Sequence, residues 1–243
     1  MSEPLNLLDL FSGIGGFSLG LERSGRFRTV GFCEPADLPR RILSLRFPGV
    51  PIYEDVRTLT AARLRADGIR VDALCGGFPC QDLSPTGTGL GLSGARSGLW
   101  FEYERLIREL RPRVVFVENS DALLRGALGT LLGALARLGY DAEWHRLPAS
   151  AFGAPHERGR VYVVAYPNGL APFGPSIPRP QLLPWPDEPG LLGGHDGFSA
   201  AMDKRGVPAV LAGVPEQPLR RHALGNALVP VIPEHLGRWC PNV

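Results

Sequence analysis

Three groups of reactive side chains stand where strands are expected to end or begin. Cys80 follows the apolar run VDALCGG in the segment GGFPCQ, and Glu118 closes the apolar run VVFVEN. Arg158 and Arg160 precede the run VYVVAY, and in extended geometry both face the same side. A cysteine thiolate is a strong nucleophile, and a carboxyl after an apolar run needs a partner or a function. The three groups together could supply a nucleophile, an acid and a cationic clamp.

The spacing and setting of the four cysteines distinguish Cys80 from the others. Cys33 and Cys75 lie within apolar runs, where cysteine is typically a small buried hydrophobic residue, whereas Cys80 stands between Pro and Gln. The cysteines form neither C-x-x-C pairs nor the Cys/His spacing of a zinc site, so we expect no disulfide and no metal. The glycine-rich segment 86–98 could close over a substrate or could be an ordinary surface loop.

A second set of residues indicates a nucleoside-containing cofactor. The run LNLLD ends in FSGIGGFSLGLE, which predicts a buried strand that turns tightly into a helix. Glu34 closes the run TVGFCE at about the offset from the glycine turn at which an acid binds ribose hydroxyls in dinucleotide folds. The turn lacks the G-x-G-x-x-G spacing that holds phosphates, so S-adenosylmethionine fits at least as well as a nicotinamide cofactor. Asp55, in YEDV, could accept a hydrogen bond from an adenine amino group or could be an ordinary loop residue.

The alternation of apolar runs and helical patterns predicts a doubly wound α/β sheet. We interpret VDALCGG, VVFVEN and VYVVAY as parallel strands, because each is bounded by Gly, Pro or charge. The segments WFEYERLIREL and LLRGALGTLLGALARLG predict amphipathic helices, the second ending at Gly139. After Tyr166 the chain is dense in Pro and Gly, and an ordered pattern returns near Arg221. We therefore expect a catalytic domain formed by 1–166 plus 222–243 and a short irregular region at 167–221.

The composition is that of a soluble globular protein. The 243 residues are 44% hydrophobic and 21% charged, with a formal net charge of +2. We find no apolar run long enough to span a bilayer and no leader pattern, so we expect a cytoplasmic protein without a membrane partner. Lys204 is the only lysine, and the many arginines suit contacts with phosphates and guanine edges. No long exposed apolar helix suggests a partner, so we expect a monomer.

The ordered set DLFSGIGGF, Glu34, GGFPCQ, VENS, the Arg158/Arg160 pair and ALGNALVP resembles the cytosine-5 DNA methyltransferases. The resemblance covers residues 5–166 and 221 to about 238. It implies a Rossmann-like class I methyltransferase fold with a small target-recognition region, and a C-terminal segment that folds back onto the first helix. The S-adenosylmethionine pocket that it implies is formed by Phe11, Ser12, Gly13, Ile14, Gly16, Glu34, Asp55, Val56, Pro79, Leu99, Asn226 and Ala227.

The resemblance also implies how a cytosine of double-stranded DNA would be methylated. Cys80 would add to C6 of the base, while protonated Glu118 bonds N3 and Arg160 holds O2, with Arg158 nearby. No step needs a metal, and the base must leave the duplex stack because C6 is otherwise out of reach. The DNA-contacting residues that we expect near the catalytic cysteine are Gln81, Ser84 and Thr86.

The sequence departs from the family pattern in places, and two alternatives remain open. His156, Ser120 and Ala227 replace residues that are common in the family, and the region 167–221 is short for target recognition. The candidates for reading DNA in this region are Arg179, His195, Lys204, Arg205, Arg220 and Arg221, although a solvated surface charge is the more common role for each. The alternatives are an RNA (tRNA) cytosine-5 methyltransferase on the same catalytic frame and a catalytically silent DNA-binding relative.

Overall fold

The computed structural model describes residues 3–79, 98–152, 157–170 and 228–240. These segments form one seven-stranded sheet with helices on both faces. The strands are β1 (Leu5–Leu10), β2 (Phe27–Cys33), β3 (Ile52–Tyr53), β4 (Ala73–Gly77), β5 (Val114–Ser120), β6 (Tyr140–Leu147) and β7 (Arg160–Pro167). The helices are α1 (Gly16–Arg23), α2 (Asp37–Arg46), α3 (Ala61–Ala66), α4 (Leu99–Leu110), α5 (Leu128–Arg137) and α6 (Val231–Trp239), with short 3-10 helices at Asp121–Arg125 and Ala149–Phe152.

The strand order is β3-β2-β1-β4-β5-β7-β6. The first five strands in this order are parallel, which confirms the predicted doubly wound α/β arrangement. The interpretation of VYVVAY as a parallel strand was wrong, because β7 runs antiparallel to both β5 and β6. An apolar run that is buried on both faces has the same pattern in either direction, so the sequence does not reveal its orientation. The reversal places the start of β7 beside the end of β5.

The hydrophobic core lies on both faces of the sheet because successive residues of a strand point to opposite sides. Leu8, Leu74 and Val115 pack with α3, α4 and α5 on one face. Leu7 and Phe116 pack with α1 and α6 on the other face. The carboxyl ends of the parallel strands are thus held at one edge by two packed helical layers.

The C-terminal helix α6 packs against α1, as the family resemblance implies. Gly20 of α1 lies against the backbone at Pro230 and Glu234, and any Cβ there would overlap the Pro230 carbonyl oxygen. In the other direction, a Cβ at Gly237 of α6 would lie 2.8 Å from Ser24 Oγ. The two glycines therefore permit a close helix-helix contact that a larger residue would open.

Two local predictions differ from the structure. The helix expected through LLRGALGTLLGALARLG is interrupted at Gly126, whose φ of 165° and ψ of −16° lie outside the helical region, and α5 begins at Leu128. Strand β6 was not predicted because its charged and polar residues alternate with partly buried ones at the edge of the sheet.

Within the described segments no helix is both long and apolar enough to cross a bilayer. Most of the region 167–221 lies outside the described residues.

Candidate active site

A cleft of about 1060 Å³ lies along the carboxyl ends of β1 to β5 and the start of β7. This edge is where open α/β sheets bind their ligands. The described residues predicted for the cofactor all line it, namely Phe11, Ser12, Gly13, Ile14, Gly16, Glu34, Asp55, Val56, Pro79 and Leu99. Glu118, Arg158 and Arg160 line the same cleft. The structure thus brings the two predicted sets of residues into one continuous space.

The turn from β1 to α1 forms one wall of the cleft. Phe11, Gly13 and Gly15 have positive φ values of 53°, 52° and 84°, and Gly15 is the residue that precedes α1. A Cβ at Gly15 would lie 2.8 Å from the Phe47 ring, so glycine is required there for space as well as for conformation. Nothing lies within 4 Å of the place where a Cβ of Gly13 would be. Gly13 therefore exposes its backbone to the open part of the cleft.

Ser12 joins the ends of β1 and β2. Its hydroxyl donates to the Asp9 carbonyl oxygen at 2.6 Å and accepts a hydrogen bond from the Cys33 N–H at 3.2 Å. Its backbone N–H donates to the Cys33 carbonyl oxygen at 3.2 Å. These bonds hold the glycine turn beside the residue that follows β2, which is Glu34.

Glu34 is buried at the end of β2 and binds both neighbouring loops through its carboxylate. Oε2 accepts a hydrogen bond from the Gly13 N–H at 2.8 Å, and Oε1 accepts one from the Ala36 N–H at 2.9 Å. Burial raises the pKa of the Glu34 carboxyl, although these two N–H groups lower it in part. Each carboxylate oxygen has two acceptor positions, so the side chain can still accept hydrogen bonds from a ligand.

Charged residues form the rim of the cleft above Glu34. Asp55 accepts hydrogen bonds from the Arg57 side chain at 2.8 to 3.1 Å, and this guanidinium lowers the pKa of the Asp55 carboxyl. Arg40 of α2 lies 3.4 Å from Glu54 and 3.7 Å from Asp37. Arg40 thus joins the segments that follow β2 and β3, and the rim carries several acidic groups.

A row of aromatic rings lies beneath the cleft. Phe11 stacks on Tyr103 at 6.3 Å between ring centroids, Tyr103 stacks on Trp100 at 5.7 Å, and Trp100 packs against Phe78 at 5.7 Å. The Tyr103 hydroxyl donates to the Phe116 carbonyl oxygen at 2.9 Å. The row extends from the glycine turn to the residue before Pro79, so it connects the two ends of the site through packed side chains.

Glu118 forms an ion pair with Arg160 inside the cleft. The Arg160 Nε atom lies 3.0 Å from Glu118 Oε1, and the Glu118 side chain is 16% exposed. Burial raises the pKa of the Glu118 carboxyl, while the Arg160 and Arg158 guanidiniums lower it in part. Arg158 has a φ of 25° and is not extended, so the reason given for the two arginines facing one side was wrong. Both guanidiniums nevertheless act on Glu118.

Two residues that the sequence analysis did not single out place Glu118 and the end of β4. Gly77 pairs with Glu118 across the parallel strands, and a Cβ at Gly77 would overlap Glu118 Oε2. Asn119 is 2% exposed and donates from Nδ2 to the Phe78 carbonyl oxygen at 3.0 Å. The glycine after an apolar run and the amide next to Glu118 were visible in the sequence, but their roles depend on contacts between strands.

Asp9 is a buried acid on the floor of the cleft and was also missed. Its Oδ2 atom accepts hydrogen bonds from the Ser18 N–H at 3.3 Å and the Ser18 hydroxyl at 2.8 Å. Burial raises the pKa of Asp9 to about 7, although the Ser18 bonds lower it in part. An acid in the predominantly apolar strand LNLLDL is a signal that could have identified this position.

Cys33, Cys75 and Cys240 are buried, as predicted for Cys33 and Cys75. Burial raises the pKa of the Cys33 thiol to about 12 and that of Cys75 well above its usual value, so neither is a reactive thiol. The remaining predicted site residues lie outside the described part of the chain, namely Cys80, Gln81, Ser84, Thr86, Lys204, Arg205, Asn226 and Ala227. Pro79 and Leu99 line the cleft on either side of the segment that contains Cys80.

A family model described as C-5 cytosine-specific DNA methylase matches residues 5–187. The match includes every strand of the sheet and both ends of the cleft. The chain belongs to this family.

Curated relatives within the family agree with the match. The chain is 37% identical over 169 residues to the Type II methyltransferase M2.BsuMI of Bacillus subtilis, covering 66% of this chain and 42% of that protein. It is 32% identical over 183 residues to the Type II methyltransferase M.HhaI of Haemophilus parahaemolyticus, covering 74% of this chain and 54% of that protein. The chain thus spans about half the length of these relatives.

Solved methyltransferase structures share the fold. The methyltransferase EhMeth of Entamoeba histolytica superimposes with a TM-score of 0.65 at 20% identity, over 75% of this chain and 58% of that one. A protein of Escherichia coli described as a DNA modification methyltransferase encoded within a prophage gives a TM-score of 0.62 at 27% identity, over 74% and 51% of the two chains. The Rossmann-like methyltransferase fold expected from the sequence is therefore confirmed.

Proposed function

We propose that the protein transfers a methyl group from S-adenosylmethionine to carbon 5 of cytosine in double-stranded DNA. The observation that carries the proposal is the single cleft that contains Glu34 at one end and the Glu118–Arg160 pair at the other. A methyl donor and an acceptor base must meet in one space, and this cleft provides it. The Type II methyltransferases among the relatives support the same activity.

The cofactor end fits an adenosyl group without phosphates. Glu34 is held by the Gly13 and Ala36 N–H groups and would accept hydrogen bonds from ribose hydroxyls. Ile14, Val56 and Leu99 provide apolar surface for an adenine ring. When bound, S-adenosylmethionine supplies a methyl group on a positively charged sulfur.

The chemical end fits nucleophilic catalysis on a pyrimidine. The Cys80 thiolate forms a bond to C6, and the electron pair of the C5–C6 double bond moves into the ring as Glu118 gives its proton to N3. C5 would then take the methyl group, which leaves S-adenosylhomocysteine. A base removes the proton from C5, the bond between sulfur and C6 breaks to regenerate the thiolate, and N3 returns its proton to Glu118. Arg160 can bond Glu118 and the O2 atom of the base together, because a guanidinium has five N–H donors.

The raised pKa of Glu118 is consistent with this role. A carboxyl that gives a proton to N3 must hold that proton near neutral pH, and burial favours the protonated form. The two guanidiniums oppose this effect and favour the carboxylate that remains after the proton is given. The surroundings of Glu118 thus limit the free-energy difference between its protonated form and its carboxylate form.

Methyl transfer to duplex DNA and to tRNA, measured in parallel with labelled cofactor, tests the proposal. We expect incorporation into DNA that contains cytosine, and we expect bisulfite sequencing of host DNA to locate the methyl group on C5 within one short sequence. The matched variants are Glu118→Ala, which should be inactive, and Arg108→Ala, which removes an exposed ion pair with Glu104 on α4. Incorporation into tRNA alone would favour the RNA enzyme, and none into either substrate would favour the silent relative.

A further inference from the structure

We infer that Asp121 and Arg146 form a positioning pair for the two site arginines, a role that rests on the proposed function. Arg146 Nη2 and Nε donate to Asp121 Oδ2 at 2.8 and 3.0 Å. Neither residue is among those described as lining the cleft. Their connection to the site is Gly159, the residue between Arg158 and Arg160.

Gly159 is in close contact with this ion pair. A Cβ at Gly159 would lie 2.5 Å from Arg146 Nη2 and 2.9 Å from Asp121 Oδ2, closer than real side chains allow. The planar guanidinium and the carboxylate thus pack directly on the backbone that carries both site arginines. A side chain at this position would displace the ends of the Arg146 and Asp121 side chains, and the φ of Gly159 is not in the positive range.

The strand pairing makes this contact matter for the active site. Arg160 is aligned with Ser120 of β5 on one side and with Leu147 of β6 on the other. Asp121 follows Ser120 and Arg146 precedes Leu147, so the ion pair joins the two strands that flank the start of β7. The pair therefore contacts Gly159 from both neighbouring strands.

The pair is not explained by its contribution to stability. The Arg146 and Asp121 side chains are 48% and 35% exposed, and exposed ion pairs contribute little to stability. Asp121 Oδ1 is buried, and no hydrogen-bond partner for it exists in the described part of the chain, which makes this orientation costly. Arg158, on the other side of Gly159, has a left-handed φ that surrounding contacts must maintain.

If the ion pair positions the two arginines, its loss should displace Arg160 and so change the pKa of the Glu118 carboxyl. We expect Arg146→Ala to lower kcat by about tenfold, because small displacements of catalytic groups cost rate. The KM for S-adenosylmethionine should stay within about twofold, since binding determinants at Glu34 are untouched. The pH dependence of kcat should also shift, since Arg160 and Arg158 set part of the Glu118 pKa.

The set of variants is Arg146→Ala, Arg146→Lys, Gly159→Ala and the double variant of Arg146→Ala with Gly159→Ala. Gly159→Ala should lower kcat as Arg146→Ala does, because the new methyl group displaces the same ion pair. The double variant should be no worse than either, because both changes disrupt one pair. Arg146→Lys should have a kcat close to that of Arg146→Ala, because lysine lacks the planar guanidinium that donates to Asp121 through two nitrogens. Arg108→Ala is the control for loss of an exposed ion pair.

A measurement that does not need activity separates this inference from the proposed function. The Arg160 Nε–H resonance in nitrogen-15 spectra, assigned with Arg160→Lys, reports its bond to Glu118. We expect this resonance to move or broaden in Arg146→Ala and to remain in place in Arg108→Ala. An unchanged resonance together with wild-type kcat in Arg146→Ala would overturn the inference. An inactive wild type with a shifted resonance would overturn the proposed function alone.

Discussion

The Nε atom of Arg160 lies 3.0 Å from Oε1 of Glu118, next to the space that Gly77 leaves by lacking a side chain. Burial raises the pKa of this carboxyl and the guanidinium lowers it in part. The pair therefore places a proton donor and a cation within one part of the cleft. Because Glu118 must be protonated to act as the acid, the activity should depend on pH.

Glu118→Gln should remove that dependence. The raised pKa means that wild-type Glu118 keeps its proton to a higher pH than an ordinary glutamate, and activity falls as the pH rises through this pKa. Glutamine donates a hydrogen bond to N3 but gives no proton, so kcat should fall by about 100-fold or more. The decline of kcat on the high-pH side should disappear. A variant with the wild-type rate and the same decline would show that Glu118 is not the acid.

Glu34→Gln should weaken cofactor binding. One carboxylate oxygen becomes an NH2 group that faces the Gly13 or Ala36 N–H, so a buried donor loses its acceptor. We expect the free energy of unfolding to fall by about 1–3 kcal/mol. We expect the affinity for S-adenosylmethionine, measured by calorimetry, to fall by about tenfold or more. Glu54→Gln, whose side chain is 73% exposed on the rim, is the control, and equal affinity in both variants would contradict the role of Glu34.

Asp9→Asn should flatten the pH dependence of stability. In the folded protein Asp9 keeps its proton up to about pH 7, whereas the unfolded chain releases it near the ordinary value of 3.8. The folded state therefore loses stability as the pH rises from about 4 to 7, and the loss is complete above that range. Urea unfolding at several pH values should show this slope in the wild type and a smaller slope in Asp9→Asn. Identical slopes would show that the Asp9 pKa is not raised.

Much of the fold and half of the site were predictable because they depend on local patterns. Strands β1, β4 and β5 are mainly apolar runs, and Glu34 and Glu118 stand out because they close or interrupt such runs. The direction of β7 was not predictable, because burial on both faces is independent of direction. The roles of Gly77 and Asn119 depend on which strand lies beside β4, and that neighbour is known only from the structure.

Gly20→Ala should separate α6 from α1. The new Cβ would overlap the Pro230 carbonyl oxygen, which is backbone and has little room to move. We expect a loss of about 2 kcal/mol or more in the free energy of unfolding, as for other overpacked positions. Gly129→Ala in α5 is the control, because nothing lies within 4 Å of its Cβ and alanine favours a helix by up to about 1 kcal/mol. Equal stability of the two variants, measured by urea unfolding, would contradict the close contact.

In the proposed reaction Cys80 attacks the cytosine that lies beside Glu118 and Arg160. Duplex DNA that contains 5-fluorocytosine tests it, because fluorine replaces the proton that must leave C5 and the bond between sulfur and C6 then remains. With S-adenosylmethionine present, the wild type and Cys75→Ala should form a covalent adduct that survives denaturing electrophoresis, and Cys80→Ala should form none. An equal yield of adduct from Cys80→Ala and the wild type would contradict the account.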